Sequence, residues 1–209
     1  ISHCSVLIFN ILGTNKMNFE IDCKNISNDS LFLSNLLSTL SEIKKIDPNN
    51  YEISQIIEFW NDAKKFKDDS LASFRLGFMN LEERAYSEQI TWACANEITK
   101  KIGFESIKNT ELSDIKETLA STYYGNFSVF KSTPDSWAIN QVFPIMPIHR
   151  HLESPELNAT FADLTCDSDG KLNHFINNGN FKSLINLHEH IENEDYFIGI
   201  FLSGAYQEA

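Results

Sequence analysis

At 209 residues, 42% of them hydrophobic, the chain is long enough for one large or two small domains around a sizeable core. A formal net charge of -12 at pH 7 argues against a nucleic-acid or anionic-membrane partner, either of which would need a basic surface. The longest apolar runs, 6–12 and 196–202, are far too short to span a bilayer, and no signal-peptide pattern is visible. The four cysteines (Cys4, Cys23, Cys94 and Cys166) make no C-x-x-C pair, so zinc and dithiol readings lack support. Reduced thiols in a cytoplasmic setting are the default expectation.

In chain order, the run 5–12 predicts a hydrophobic strand closed by Gly13. Asp29 or Ser30 can cap a helix whose apolar positions Leu33, Leu36, Leu37, Leu40 and Ile43 follow the 3.6 period, with Pro48 beyond its end. Ile53, Ile56, Ile57, Trp60 and Ala63 repeat that period in a second helix. Asn80-Leu81-Glu82-Glu83 has capping-box spacing and opens a long third helix that ends at Lys100, Lys101 and Gly103. A short fourth helix is expected over 112–119. From 127 onward the pattern turns to strands at 127–130, 161–165, 171–176 and 196–202.

The predicted fold class is therefore α+β, a β-domain interrupted by an inserted helical bundle. Its parts are 1–28 (first strand region), 29–120 (bundle) and 121–209 (remaining β-domain with the candidate loops). The chain opens on Ile1 beside a strand and closes where a helix starts, so a longer protein is expected.

One segment carries chemistry by itself. Thr165-Cys166-Asp167-Ser168-Asp169-Gly170 puts a thiol against two carboxylates at the expected tip of a hairpin, because Asp-Gly between two alternating runs signals a turn. A structural cysteine usually sits in a core, whereas a thiol on a strand-end loop beside acids can exchange a proton. Calcium is rejected here: in an EF-hand register Ile176 would stand where the bidentate glutamate belongs, and the flanks are strands. His188-Glu189-His190 and His149-Arg150-His151 are read as solvated loops rather than metal ligands. No strand–GxSxG–helix context or phosphate-binding glycine loop is found. Asp135 beside Trp137, at the expected end of the 127–130 strand, suits a cation but also fits an ordinary turn. Tyr206 follows a buried strand and alone reads as a packed tyrosine.

Taken together, several segments resemble one family: Tyr124-Gly125-Asn126-Phe127-Ser128-Val129-Phe130, Pro134-Asp135-Ser136-Trp137-Ala138-Ile139, Gln141-Val142-Phe143-Pro144-Ile145-Met146-Pro147, 165–170, and Gly204-Ala205-Tyr206-Gln207-Glu208. They resemble, in order, the C-terminal half of the biosynthetic arginine decarboxylases, part of the alanine-racemase-like class of pyridoxal-phosphate enzymes. His3-Cys4-Ser5-Val6-Leu7-Ile8 and Leu81-Glu82-Glu83-Arg84-Ala85 also fit; 14–70 and 177–195 resemble it least.

The resemblance implies a C-terminal β-barrel or sandwich domain with a helical insertion, and an N-terminal (β/α)8 barrel missing from this chain. It implies conversion of L-arginine to agmatine and CO2, feeding polyamine synthesis, with the active site at a subunit interface of a homodimer or higher oligomer. Cys166 then returns a proton to the substrate α-carbon, Asp167 holds the guanidinium, Asp135 is a second carboxylate for it, and Tyr206 holds the cofactor phosphate. A carboxylate can meet a planar guanidinium with two parallel hydrogen bonds, which an ammonium does not allow. The pyridoxal 5'-phosphate lysine would lie outside this chain, so the isolated chain is expected to be inactive. Magnesium is associated with the family, but no ligand cluster here can be assigned to it. Decarboxylation of ornithine, lysine or diaminopimelate, or a non-catalytic regulatory role, are the alternatives.

Overall fold

The computed structural model describes residues 5–15, 31–103, 107, 110–165, 170–177 and 179–204. They form two compact units, one built from the described residues of 1–16 and 120–209, the other from those of 17–119.

The second unit is helical. Helices α1 (Leu31–Lys45), α2 (Ile53–Arg75) and α3 (Leu81–Ile102) are followed by a 3-10 turn (Thr110–Leu112) and α4 (Ser113–Thr118). The predicted apolar stripes form the core except at Ile53, which is exposed at the start of α2, and at Leu37 and Ile57, which are only partly buried. Leu33, Leu36, Leu40 and Ile43 of α1 meet Ile56, Trp60 and Ala63 of α2 and Ile90, Cys94 and Ile98 of α3, all buried. Burial pushes the Cys94 thiol up to about 12, which leaves it protonated and inert. The capping box forms as expected: the Glu83 N–H donates to Asn80 Oδ1 at 2.8 Å and the Asn80 N–H to Glu83 Oε2 at 3.0 Å. Gly103 ends α3 at φ 79, where a side chain would be strained. Lys101 Nζ donates to the carbonyls of Lys44 and Ile46, satisfying acceptors left over at the end of α1. The Trp60 indole N–H donates to Asp114 Oδ1 and Lys64 Nζ to Asp114 Oδ2, each at 2.8 Å, tying α4 to α2. The expected caps Asp29 and Ser30 lie outside the described residues.

The first unit holds a seven-stranded, nearly closed, barrel-like sheet in the order β3-β9-β1-β2-β4-β5, with β8 also paired to β4. Its strands are β1 (Ser5–Asn15), β2 (Ser121–Gly125), β3 (Ile145–Pro147), β4 (Leu157–Asp163), β5 (Lys171–Leu172), β8 (Ile185–Leu187) and β9 (Phe197–Ser203). A separate hairpin pairs β6 (Phe175–Asn177) with β7 (Asn180–Lys182). All pairs in the large sheet are antiparallel except β2–β4.

The expected stop of β1 at Gly13 is wrong: the strand runs on to Asn15, and the register shifts between Ile11 and Gly13 so that Leu12 bulges. Phe9 stacks on Phe127 with ring centroids 4.3 Å apart and meets Phe161 edge-on at 5.4 Å. This cluster needs Gly125, because a Cβ there would lie 2.5 Å from the Phe9 ring.

The expected strand at 127–130 is also wrong. Val129–Ser132 is a short helix, α5, followed by α6 (Pro134–Ala138). The expected 171–176 strand is broken into β5 and β6, since Asn173 and His174 leave the ladder and are exposed while Phe175 turns into the core. The expected 161–165 strand starts earlier, at Leu157, and stops at Asp163.

Candidate active site

The hairpin read from the sequence has its base where expected. β4 pairs with β5 through Phe161↔Leu172 and Ala162↔Lys171, and the Asp163 N–H donates to the Gly170 carbonyl at 2.9 Å. Cys166 and Asp167 lie outside the described residues, as does Tyr206.

Asp163 closes β4 and is only 7% exposed. A buried carboxylate is costly unless its oxygens are engaged. Here the Val129 N–H donates to Asp163 Oδ2 at 2.9 Å and the Thr165 hydroxyl to Oδ1 at 3.1 Å. That bond explains why 127–130 is not a strand. Ser128 Oγ accepts the Lys131 N–H at 3.3 Å, and Asp163 takes another of the free donors in the first turn of α5. The sequence pattern could not show a partner 34 residues away.

Asp135, the candidate second carboxylate, stands in the first turn of α6. Its carbonyl accepts the Ile139 and Gln141 N–H groups, so α6 ends in a tight turn. Asp135 thus belongs to a helix, not to a strand end, and Trp137 tilts against Phe130 at 5.5 Å. A cleft of about 270 Å3 opens beside this helix pair, lined by Val129, Trp137, Gln141, Phe143, Lys171 and His174 among others. Polar donors and apolar walls meet there, as in sites for small polar molecules.

A polar cluster that the sequence reading missed lies elsewhere in the same unit. His188 is not solvated; it is 5% exposed. Its Nε2 lies 3.1 Å from the Glu153 carbonyl, which can only accept, so in the neutral ring Nε2 carries the proton and Nδ1 accepts from the Tyr196 hydroxyl at 2.9 Å. The Tyr123 hydroxyl donates to the His188 carbonyl at 3.0 Å, and burial pushes that phenol up to about 12. Burial also raises Tyr196. His149 Nε2 accepts the Phe197 N–H at 2.9 Å. The Arg150 guanidinium lies 5.8 Å from the Tyr196 ring centroid and donates to the Glu189 carbonyl and to Glu153. The hydrogen bond from Arg150 holds the Glu153 carboxyl below its ordinary range.

These bonds consume the polar atoms among themselves, which makes the cluster a strut rather than a reaction site. Alternation of buried and exposed positions gave no hint of it, because its members come from four separated segments. Among the described residues no group of three or more His, Cys, Asp or Glu side chains could hold a metal ion, and no helix is long and apolar enough to cross a membrane.

Residues 27–116 match the arginine decarboxylase helical bundle domain. Over all 209 residues the chain is 61% identical to a biosynthetic arginine decarboxylase of Prochlorococcus marinus, covering 32% of that protein. It is 50% identical to one from a Synechococcus species, over 99% of this chain and 31% of that protein. Among solved structures, the biosynthetic arginine decarboxylase SpeA from Campylobacter jejuni superposes with a TM-score of 0.71 at 29% identity, over 99% of this chain and 31% of that one. With a matching bundle domain and similarity from end to end, the chain resembles part of the biosynthetic arginine decarboxylases and spans about a third of the length of the relatives it matches.

Proposed function

We propose that this chain is the substrate-facing part of a pyridoxal-phosphate-dependent arginine decarboxylase that converts L-arginine to agmatine and CO2 in polyamine synthesis. The observation that carries this reading is sequence agreement over the entire chain with proteins of that name. The fold agrees: a helical unit interrupts a β-unit along the sequence.

In this reading Cys166 protonates the α-carbon after CO2 leaves. An unperturbed thiol has a pKa of about 8.5, close enough to neutrality to give up a proton and be recharged. Asp167 and Asp135, the latter from the first turn of α6, grip the guanidinium, and Tyr206 contacts the cofactor phosphate. The cofactor supplies an electron sink for the carbanion. The described residues offer no glycine-rich phosphate loop, so the rest of the enzyme would hold most of it, with Tyr206 as this chain's contribution. A cytoplasmic homo-oligomer with its active site at a subunit interface completes the proposal; no group of three or more His, Cys, Asp or Glu side chains among the described residues marks a magnesium site.

The test is to assay the full-length enzyme for CO2 release from arginine, ornithine, lysine and diaminopimelate. Arginine is expected to be preferred; equal or better turnover of another substrate would refute the assignment. The isolated 209-residue chain is expected to release no CO2 and to show no cofactor absorbance.

A further inference from the structure

We propose that Asp163 is a positioning residue of the decarboxylase: one buried carboxylate holds Thr165, Gly170 and the start of the helix pair that carries Asp135 in a single register. This rests on the functional reading above. Three observations meet at this residue. Its two oxygens accept the Val129 N–H and the Thr165 hydroxyl, and its own N–H donates to the Gly170 carbonyl.

The third observation is steric. A Cβ on Gly170 would lie 2.2 Å from Asp163 Oδ2 and 2.6 Å from Oδ1, inside any real contact distance. Position 170 is therefore glycine because the carboxylate occupies the space, and Asp163 and Gly170 act as a matched pair. The chain residues Cys166 and Asp167 fall, in sequence, between Thr165 and Gly170.

From Val129 the register passes to Asp135 through hydrogen bonds. The Val129 carbonyl accepts the Thr133 N–H at 3.2 Å and the Thr133 hydroxyl at 3.0 Å, and Thr133 is fully buried. The Thr133 carbonyl accepts the Ser136 N–H at 3.0 Å and its hydroxyl at 2.7 Å. Asp135 sits between those two residues. A helix cap alone would not require this carboxylate, because Ser128 already caps α5. What Asp163 adds is a common reference for two segments remote in sequence.

The experiment uses the full-length enzyme, with D163A, D163N, T165V and G170A. It measures kcat and KM for arginine, agmatine affinity by calorimetry, and thermal unfolding. Misplacing a substrate-gripping carboxylate by about 1 Å is expected to cost on the order of tenfold or more. D163A is thus expected to raise KM for arginine and Kd for agmatine about tenfold. D163N, which keeps an acceptor for Val129, should recover much of that loss, and G170A should resemble D163A.

A residue with only a structural role would lower the melting temperature and the active fraction while leaving KM and Kd unchanged. That result in folded D163A overturns the proposal. If D163A and G170A fail to fold, T165V decides: a severalfold rise in Kd for agmatine supports the role and an unchanged Kd overturns it. Wild-type enzyme that releases no CO2 from arginine would sink the functional reading instead, a separate outcome.

Discussion

Replacing Asp114 by alanine isolates the clamp that ties α4 to α2. Trp60 is 1% exposed and its indole N–H has a single acceptor, Asp114 Oδ1 at 2.8 Å. Removing that acceptor leaves a buried donor unsatisfied, which costs about 1–3 kcal/mol. The Lys64–Asp114 ion pair is partly exposed and adds about 0–1 kcal/mol, so D114A should lose about 2–3 kcal/mol. W60F removes the donor as well as the ring edge, so the pair must be read as a cycle. The W60F/D114A double variant should be less damaged than the sum of the two, by about 1–2 kcal/mol. Hydrogen exchange across 53–118 in the full-length protein reports local opening free energies. D114A should lower protection there by roughly thirtyfold or more. Singles that add up with no coupling would show that the indole bond contributes nothing and would refute the reasoning.

Two further tests address the β-unit. Burial raises the Tyr123 phenol from 10.0 to about 12, so the folded protein keeps this proton after the unfolded chain has lost it. Stability from Tyr123 is then full below pH ~10 and is lost as pH rises through the folded value, by about 3 kcal/mol in total. Y123F should lose about 1 kcal/mol at neutral pH with the bond to the His188 carbonyl, yet show a shallower alkaline decline in urea midpoint. Equal slopes for both proteins would contradict this. G125A should displace the Phe9–Phe127 stack, since the new Cβ would lie 2.5 Å from Phe9 and 2.8 Å from Phe127. Overpacking of this kind costs about 1–3 kcal/mol, seen as faster exchange in β1 and β2; unchanged exchange would show that the rings move aside freely.

Elements whose reason is local were legible in the chain. The stripe from Leu33 to Ile43, the Asn80–Glu83 box and the Gly103 stop each depend on residues within a turn or two, and each formed as expected. The β4–β5 hairpin base was legible for the same reason. The 127–130 segment was not. Its β-branched and aromatic residues favour a strand, but a carboxylate from β4 accepts the Val129 N–H and the backbone turns into α5. His188 misled similarly, since a polar neighbourhood in sequence became a buried strut once Tyr123, Glu153 and Tyr196 converged on it.

By itself, then, the sequence determined the α+β class, the bundle and its core, the position of the hairpin and the family it resembles. All of these follow from periodicity, capping and short motifs, which act within a few residues. Only the tertiary structure decided that Asp163 is buried, that it joins Val129 to Thr165 and Gly170, and that Asp135 rides on a helix. Such partners lie far apart in the chain, and no period or spacing encodes which long-range hydrogen bond a buried carboxylate will find.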